Sequence, residues 1–438
     1  MATNYEAKPS PYDGVFSVAR KLVALLRAPS LVAAAVYAFA GVGFAASNVM
    51  LARVLPVREF GLVALFLSLS QVGVTLGPFG LELSINRHRL PATGRLLGRA
   101  CVTGAIAAAV LAVVARYFYG FSSALTWTLA ATVLAVTANQ IVTTYFQSRE
   151  RFGLSLFIGL VHTWLLLLAI PLVMVLHDYS ALPVALLVLC GYVVITALGW
   201  SKRANSPRDA HAHSALPRGT LLKEGLAAIG MNLALTLLFQ LDRLIIPTAL
   251  SIGDLAIYAV VAAVVGSPFR MLQTGVGYTL LPRLRKADSV ARVVRLLRHE
   301  AVLMLAVASI AAACVLTIGP WLVDVLIPGD YNPPHSLFVA IVVVGFIRVW
   351  CGFAQSLIYS FGSPRELFIV NVWAWLAVGE GVIAAFLVKS TGLTGIVYGL
   401  GTGWLTFALA ASVLAFRALR VWRPGATAVV NAIGGAGV

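Results

Sequence analysis

Apolar residues come in long unbroken runs along this chain, separated by short polar loops. A helix that crosses a bilayer needs ~20 mostly apolar residues, whereas a membrane strand alternates apolar and polar side chains. Because the runs do not alternate, the pattern predicts an all-α polytopic membrane protein with about twelve transmembrane helices. The predicted spans are 31–52, 60–80, 100–119, 123–146, 154–176, 180–200, 225–250, 255–281, 301–322, 336–361, 367–388 and 393–416.

Basic residues are concentrated in every second loop. Of the 32 lysines and arginines, 25 lie in the two termini and in alternate loops. The intervening loops hold few, among them Arg53, Arg58 and Lys389. Since positively charged loops stay on the cytoplasmic side of a membrane, we expect both termini to be cytoplasmic.

Composition excludes several classes of function. Hydrophobic residues make up 60% of the chain and charged residues 11%, with a mean hydropathy of +0.92. The net charge of +16 is explained by membrane topology and attraction to anionic lipid headgroups, so no nucleic-acid partner is expected. All four cysteines lie within predicted spans, which predicts neither a disulfide framework nor a metal site.

No catalytic motif is found. The chain has neither a phosphate-binding loop for ATP nor a Gly-x-Ser-x-Gly nucleophile elbow, so we expect no enzyme activity and no organic cofactor. Any energy for transport would then come from the substrate gradient or from coupling to H⁺ or Na⁺.

The chain divides into two similar halves. We predict an N-terminal segment 1–30, a six-helix lobe 31–200, an inter-lobe loop 201–223, a second six-helix lobe 224–416 and a tail 417–438. After the first helix of each half, an acidic residue precedes a bulky and then a small one, at 59–61 and 254–256. Because six is an even number of spans, the two lobes form a parallel repeat with a cleft between them.

Three arginines interrupt the predicted spans of the second half: Arg243, Arg270 and Arg348. A charged side chain in hydrocarbon costs ~2.5–3.5 kcal/mol on insertion scales, so it is expected to face a cavity or a partner. Helical spacing places Gln240 on the face of Arg243, and Gln355 on the face of Arg348.

The first half carries uncharged polar stripes instead. Asn139 lies on one face of the fourth span. Gln71, in the second span, lies on the same polar stripe as Glu82, which follows just after that span. An arginine fork donates paired hydrogen bonds to phosphate oxygens and stays charged at low dielectric. The polar spans therefore predict a cationic cavity for an anionic, membrane-borne substrate.

Two acidic residues in the predicted spans each allow two interpretations. Asp242 adjoins Arg243 and is either half of a structural ion pair or part of the site. Glu380, in the eleventh span, is either a protonation site for coupling or a partner of an arginine.

Several short motifs resemble the polysaccharide-biosynthesis proteins, which are oligosaccharide-lipid flippases of the multidrug/oligosaccharidyl-lipid/polysaccharide (MOP) exporter superfamily. Residues 51–55 read Leu-Ala-Arg-Val-Leu and 59–61 read Glu-Phe-Gly; in the second half, 240–244 read Gln-Leu-Asp-Arg-Leu and 280–284 read Leu-Leu-Pro-Arg-Leu. The glycine usual after the first motif is absent from 55–57. About twelve spans, rather than fourteen, argue against the lipid II flippase branch.

The resemblance implies that a polyprenyl-diphosphate-linked oligosaccharide, for an O-antigen, capsule or exopolysaccharide, is turned across the bacterial inner membrane by alternating access. It adds Arg53 to the site, because that residue lies in a family motif. Membrane lipids, a glycan polymerase and glycosyltransferases are the other expected partners. We predict substrate binding by Arg243, Arg270, Arg348, Gln240, Gln355, Asn139 and Arg53, and coupling through Glu380 and Asp242.

Three other functions make different predictions. A multidrug or cation antiporter of the same superfamily would have an acid-rich cavity. A non-transporting scaffold for glycan-assembly enzymes would pack its polar stripes together without a cleft. A major-facilitator carrier also has twelve spans, but the 81–99 loop lacks the acidic residue of that family's signature beside Gly94 and Arg95.

Overall fold

The computed structural model describes residues 29–88, 90–91, 93–149, 151–204, 218–285, 287–326 and 333–422. These residues are helical almost throughout and include no strand. The α-helices are α1 Pro29–Val54, α2 Val57–Leu76, α3 Leu81–His88, α4 Gly94–Phe118, α5 Ser123–Ser148, α6 Phe152–Leu176, α7 Ala181–Ala204, α8 Arg218–Ala249, α9 Ile252–Val261, α10 Ser267–Arg285, α11 Val290–Leu326, α12 His335–Phe361, α13 Pro364–Leu387 and α14 Gly392–Val421.

The helices confirm the predicted fold class. Within the described ranges, eleven spans are long and apolar enough to cross a bilayer, and α9 continues through a π-helical turn into α10 to form one of them. Helix α1 contributes a shorter apolar stretch, Phe39–Val54. The two helices that flank the predicted 201–223 loop extend into it, α7 to Ala204 and α8 from Arg218, so helix covers more of that segment than predicted; 205–217 lie outside the described residues.

Helices α1–α7 and α8–α14 form two groups, which meet where α2 packs on α8 and α9. We call these groups the first and second bundles. Helix α2 lies at the interface between them, with Phe60, Ala64 and Leu65 fully buried. In the second bundle, α13 and α14 approach closely through small residues: a Cβ on Gly399 would lie 2.8 Å from the Ala385 backbone nitrogen. Small residues let helix backbones approach where lipid supplies no hydrophobic drive for association.

The helix that corresponds to the predicted second span ends before the last residue of the predicted polar stripe. Helix α2 stops at Leu76, and the segment 77–80 breaks the helix before α3 begins. Pro78 lacks a backbone N–H for a helical hydrogen bond, and Phe79 and Gly80 have positive φ angles of 52° and 77°. The sequence predicted that Glu82 continues the helix face of Gln71. In the structure Glu82 instead lies on the separate helix α3.

The bundles contact each other at both ends of the helices. At the end with few basic residues, the start of α2 meets the start of α9, and a Cβ on Gly61 would overlap the Ile252 carbonyl oxygen. Toward the arginine-rich end, the hydroxyl oxygens of Thr75 and Thr236 lie 2.8 Å apart, and Glu82 hydrogen-bonds the Asn232 side chain. These contacts enclose a space between the bundles.

Close packing of α13 on α14 yields a stability prediction. A Cβ on Gly403 would overlap the Ala377 carbonyl oxygen, whereas a Cβ on Gly379 of the neighbouring helix would meet nothing within 4 Å. We expect Gly403→Val to destabilise the protein by about 1–3 kcal/mol through overpacking, and Gly379→Val to have a much smaller effect. Thermal unfolding of the two detergent-solubilised variants checks this, and equal melting temperatures would contradict the packing.

Candidate functional site

A cavity of about 500 Å³ lies between the two bundles. Helices α1, α2, α5, α6 and α7 line it from the first bundle, and α8, α9, α10, α12 and α14 from the second. Its volume is within the range of small-molecule sites, roughly 300–1,000 Å³.

Charge is confined to one wall of this cavity. The charged side chains among its described lining residues are Asp242, Arg243, Arg270 and Arg348, and all four belong to the second bundle. Three cations and one anion give this wall a formal charge of +2. The structure thus brings together the three span arginines that the sequence singled out, and their role in binding stays a prediction.

Asp242 pairs with Arg348 across two helices. One guanidinium nitrogen of Arg348 lies 3.2 Å from Asp242 Oδ2, and the Tyr258 hydroxyl donates to the same oxygen. The Arg243 backbone N–H donates to Asp242 Oδ1 over 2.9 Å. The Arg348 guanidinium also lies over the Trp404 ring, 5.0 Å from its centroid. The acid beside Arg243 in sequence therefore pairs with a different arginine, and Arg348 is held in place.

Arg243 and Arg270 have no such partner. Within the described part of the chain, no carboxylate lies within ion-pair distance of either guanidinium group. Arg243 lies over the Phe44 ring of the first bundle, 5.8 Å from its centroid, which is a weaker interaction than an ion pair. Since an unpaired buried cation is costly, these two groups are the natural positions for a bound anion.

A π-helical turn precedes Arg270. Residues Ala262–Gly266 form this turn between α9 and α10, and Pro268 follows. Pro268 cannot donate the backbone hydrogen bond that a continuous helix needs there, so a local change of helical pitch accommodates it. Ala262, Gly266 and Ser267 all line the cavity, so the irregular segment lies directly on its wall.

Two predicted amides also line the cavity, and each keeps one unused polar atom. Asn139 is 4% exposed, accepts a hydrogen bond from the Thr143 hydroxyl through Oδ1, and has no partner for Nδ2. Gln240 is 8% exposed and has no partner for Oε1. Buried polar atoms without partners are uncommon in native proteins, which makes both atoms candidates for ligand contact.

Three predicted site residues lie outside the cavity wall. Arg53 is exposed at the end of α1, Glu380 is half-buried on α13, and Gln355 follows Arg348 by seven positions on α12. About two helical turns separate Gln355 from Arg348, so it shares the face of α12 without sharing the cavity. The binding roles of Arg53 and Gln355 and the coupling role of Glu380 stay predictions.

Other lining residues were not predicted as part of the site. Gln71 belongs to a recognised stripe, but Gln140 and Phe44 carried no periodic signal. Tyr258 was not predicted either, because its hydrogen bond to Asp242 depends on the turn between α8 and α9. The only sequence feature that pointed to Gln140 was its position next to Asn139.

Solved transporters have a similar fold. An inward-facing multidrug-resistance MATE family transporter of the MOP superfamily aligns with a TM-score of 0.66 and 12% identity, covering 87% of this chain and 94% of that one. Lipid II flippase MurJ in an inward closed conformation aligns with a TM-score of 0.65 and 10% identity, covering 89% and 92%. A Vibrio cholerae MATE transporter gives a TM-score of 0.55 and 14% identity over 90% and 97%. No curated protein sequence matches the chain significantly.

A family model supplies the sequence relationship that these distant structures lack. The model described as "Polysaccharide biosynthesis protein" matches residues 50–333, which is well over half of the chain. The matched region contains Asp242, Arg243 and Arg270. The chain therefore belongs to the polysaccharide biosynthesis protein family, and it has the fold of MOP-superfamily transporters.

Proposed function

We propose that this protein is a flippase that translocates polyprenyl-diphosphate-linked oligosaccharide units, for an O-antigen, capsule or exopolysaccharide, across the bacterial inner membrane. The observation that carries the proposal is the cationic wall, on which Arg243 and Arg270 line the cavity without an acidic partner in the described structure. A diphosphate that links a lipid to a sugar carries two negative charges, one on each phosphorus. The charge of this diphosphate, −2, is equal in magnitude and opposite in sign to the formal charge of +2 on the cavity wall.

The arrangement suits a diphosphate chemically. Arg243 and Arg270 present planar forks to phosphate oxygens, and such charge-assisted hydrogen bonds are stronger than neutral ones. Arg348 is oriented by Asp242 and Trp404, so its remaining donors are positioned before a ligand arrives. Preorganised donors lose little conformational entropy on binding, which favours affinity.

The comparisons support a lipid-linked saccharide as the cargo class. The matching family model describes polysaccharide biosynthesis proteins, and one structurally similar protein is a lipid II flippase. In our proposal the diphosphate and sugars occupy the cavity while the polyprenyl chain stays in lipid. The termini would be cytoplasmic, and a glycan polymerase and glycosyltransferases would act on the same pool of lipid-linked sugars.

The same cavity weighs against the alternatives. A cation antiporter needs uncompensated acidic groups, whereas Asp242 is the one acid on the described wall and is engaged by Arg348 and Tyr258. A scaffold without transport would bury its polar stripes against each other, but a 500 Å³ space separates them. A flippase accounts for both observations.

Transport would proceed by rocking of the two bundles. The contacts at either end of the cavity, Gly61 against Ile252 and Thr75 with Thr236, would open in alternation and expose the cavity to one side at a time. Coupling to H⁺ or Na⁺ through Asp242 or Glu380 is part of the proposal.

Removal of cavity arginines tests the diphosphate site. We expect Arg270→Ala and Arg348→Ala each to weaken binding of a polyprenyl diphosphate at least about tenfold, since each loses a charge-assisted hydrogen bond, and the double variant to lose glycan export. Binding to the reconstituted protein and export in cells are the measurements. Arg417→Ala is the matched control, because Arg417 is exposed on α14 and outside the cavity. Normal export by a correctly inserted double variant would refute the phosphate-binding role.

A reversible crosslink tests alternating access. In a background without the four native cysteines, Thr75→Cys with Thr236→Cys would place two thiols where the hydroxyls now lie 2.8 Å apart. We expect the disulfide to stop flipping in proteoliposomes and a reductant to restore it, because the bundles could no longer separate there. Each single cysteine variant should flip at the normal rate. Undiminished flipping by the fully oxidised pair would contradict rocking at this contact.

A further inference from the structure

The two walls of the cavity have different chemistry. The second bundle contributes all of the charge on the described wall, and the first bundle contributes uncharged polar groups. Those of the first bundle are Gln71, Asn139, Gln140, Thr163 and Tyr192. A site built only for a diphosphate has no need of a neutral polar wall facing its cations.

Asn139 differs from three hydroxyls of its own helix. On α5, the Thr128, Thr132 and Thr137 hydroxyls all donate to backbone carbonyl oxygens four residues earlier, over 2.7–2.8 Å. These groups are satisfied within their own helix. Asn139, on the same helix, is buried yet leaves its Nδ2 donor without a partner on the cavity wall. The amide therefore has hydrogen-bonding capacity that the protein itself does not use.

Amides match the chemistry of sugars. Each sugar hydroxyl both donates and accepts a hydrogen bond, and each Asn or Gln side chain offers two donor hydrogens and an acceptor oxygen. Neutral partners bind such groups without a counter-ion and without attracting the phosphates away from the cationic wall. Three amides on two adjacent helices, α2 and α5, would contact several hydroxyls of one glycan.

We propose that Gln71, Asn139 and Gln140 form the subsite that binds the sugar portion of the substrate, opposite the arginines that bind its diphosphate. This assignment rests on the proposed function. A substrate held in this way touches both bundles at once, with sugar on the first and diphosphate on the second. Its full binding energy is available only while the bundles are close together, which links occupancy to the closed arrangement of the cavity.

A pair of related lipids separates the two subsites. The probes are the lipid-linked oligosaccharide isolated from the source cells and a synthetic polyprenyl diphosphate that carries no glycan. Each lipid is bound to the full-length protein in lipid nanodiscs, and each variant is compared with the wild type for the same lipid. The variants are Asn139→Leu, Gln71→Met and Gln140→Met, which remove the amide and approximately keep the volume.

We expect each variant to bind the glycosylated lipid roughly three- to tenfold more weakly than the wild type, and the bare lipid with unchanged affinity. Gln147→Met is the matched control, since Gln147 is exposed on α5 and does not line the cavity. Gln71 and Gln140 are only partly buried, so these two variants test the subsite even if Asn139→Leu fails to fold.

The outcomes distinguish the two proposals. If the variants bind both lipids more weakly by the same factor, or bind the glycosylated lipid normally, the sugar subsite is overturned while the cationic site stands. If the wild type binds neither lipid, or if Arg270→Ala binds both normally, the proposed function fails and the sugar subsite fails with it.

Discussion

The cost of placing a guanidinium group within a membrane-embedded bundle is the constraint on which this structure depends. Such a group must find a carboxylate, an aromatic face, water or a ligand. Arg348 pairs with the Asp242 carboxylate and lies over the Trp404 ring, and Arg243 lies over the Phe44 ring. Neither Arg243 nor Arg270 has a carboxylate partner in the described structure, and both lie on a cavity. The positions of these cations connect the fold to the proposed chemistry.

Asp242 determines how strongly the cavity attracts anions. Its carboxylate lowers the formal charge of the wall from +3 to +2, and its contacts with Arg348 and Tyr258 join α8, α9 and α12. A buried ion pair of this kind contributes little net stability after desolvation, but breaking it is costly. The second bundle is thereby held as one unit around its arginines. The first bundle has no charge on the described wall, so the proposed rocking would separate no ion pair across the cavity.

The bundles meet mainly where α2 packs on α8 and α9, and where α1 packs on α10. Gly61 allows α2 to meet α9 at one end, and two threonine hydroxyls join α2 to α8 toward the other. Neutral hydrogen bonds and small-residue contacts are individually weak, so they can be exchanged without a large barrier. The irregular segment 262–268, with its π-helical turn and proline, lies on the cavity wall where such movement would be concentrated. A substrate bridging both walls would then bias which end is open.

The sequence alone predicted most of the secondary structure of this protein, because each segment that spans a bilayer must satisfy its own backbone hydrogen bonds. Unbroken apolar runs therefore predicted the helices, and helical periodicity placed Gln240 with Arg243 on one face. Tertiary structure alone decided which faces meet. Arg53 and Gln355 have the right chemistry but lie outside the cavity, and Glu82 lies on a separate helix because Pro78 and Gly80 end α2. Likewise, Asp242 bonds to Arg348, 106 residues away, and not to the side chain of its neighbour, since local spacing carries no information about contacts between helices.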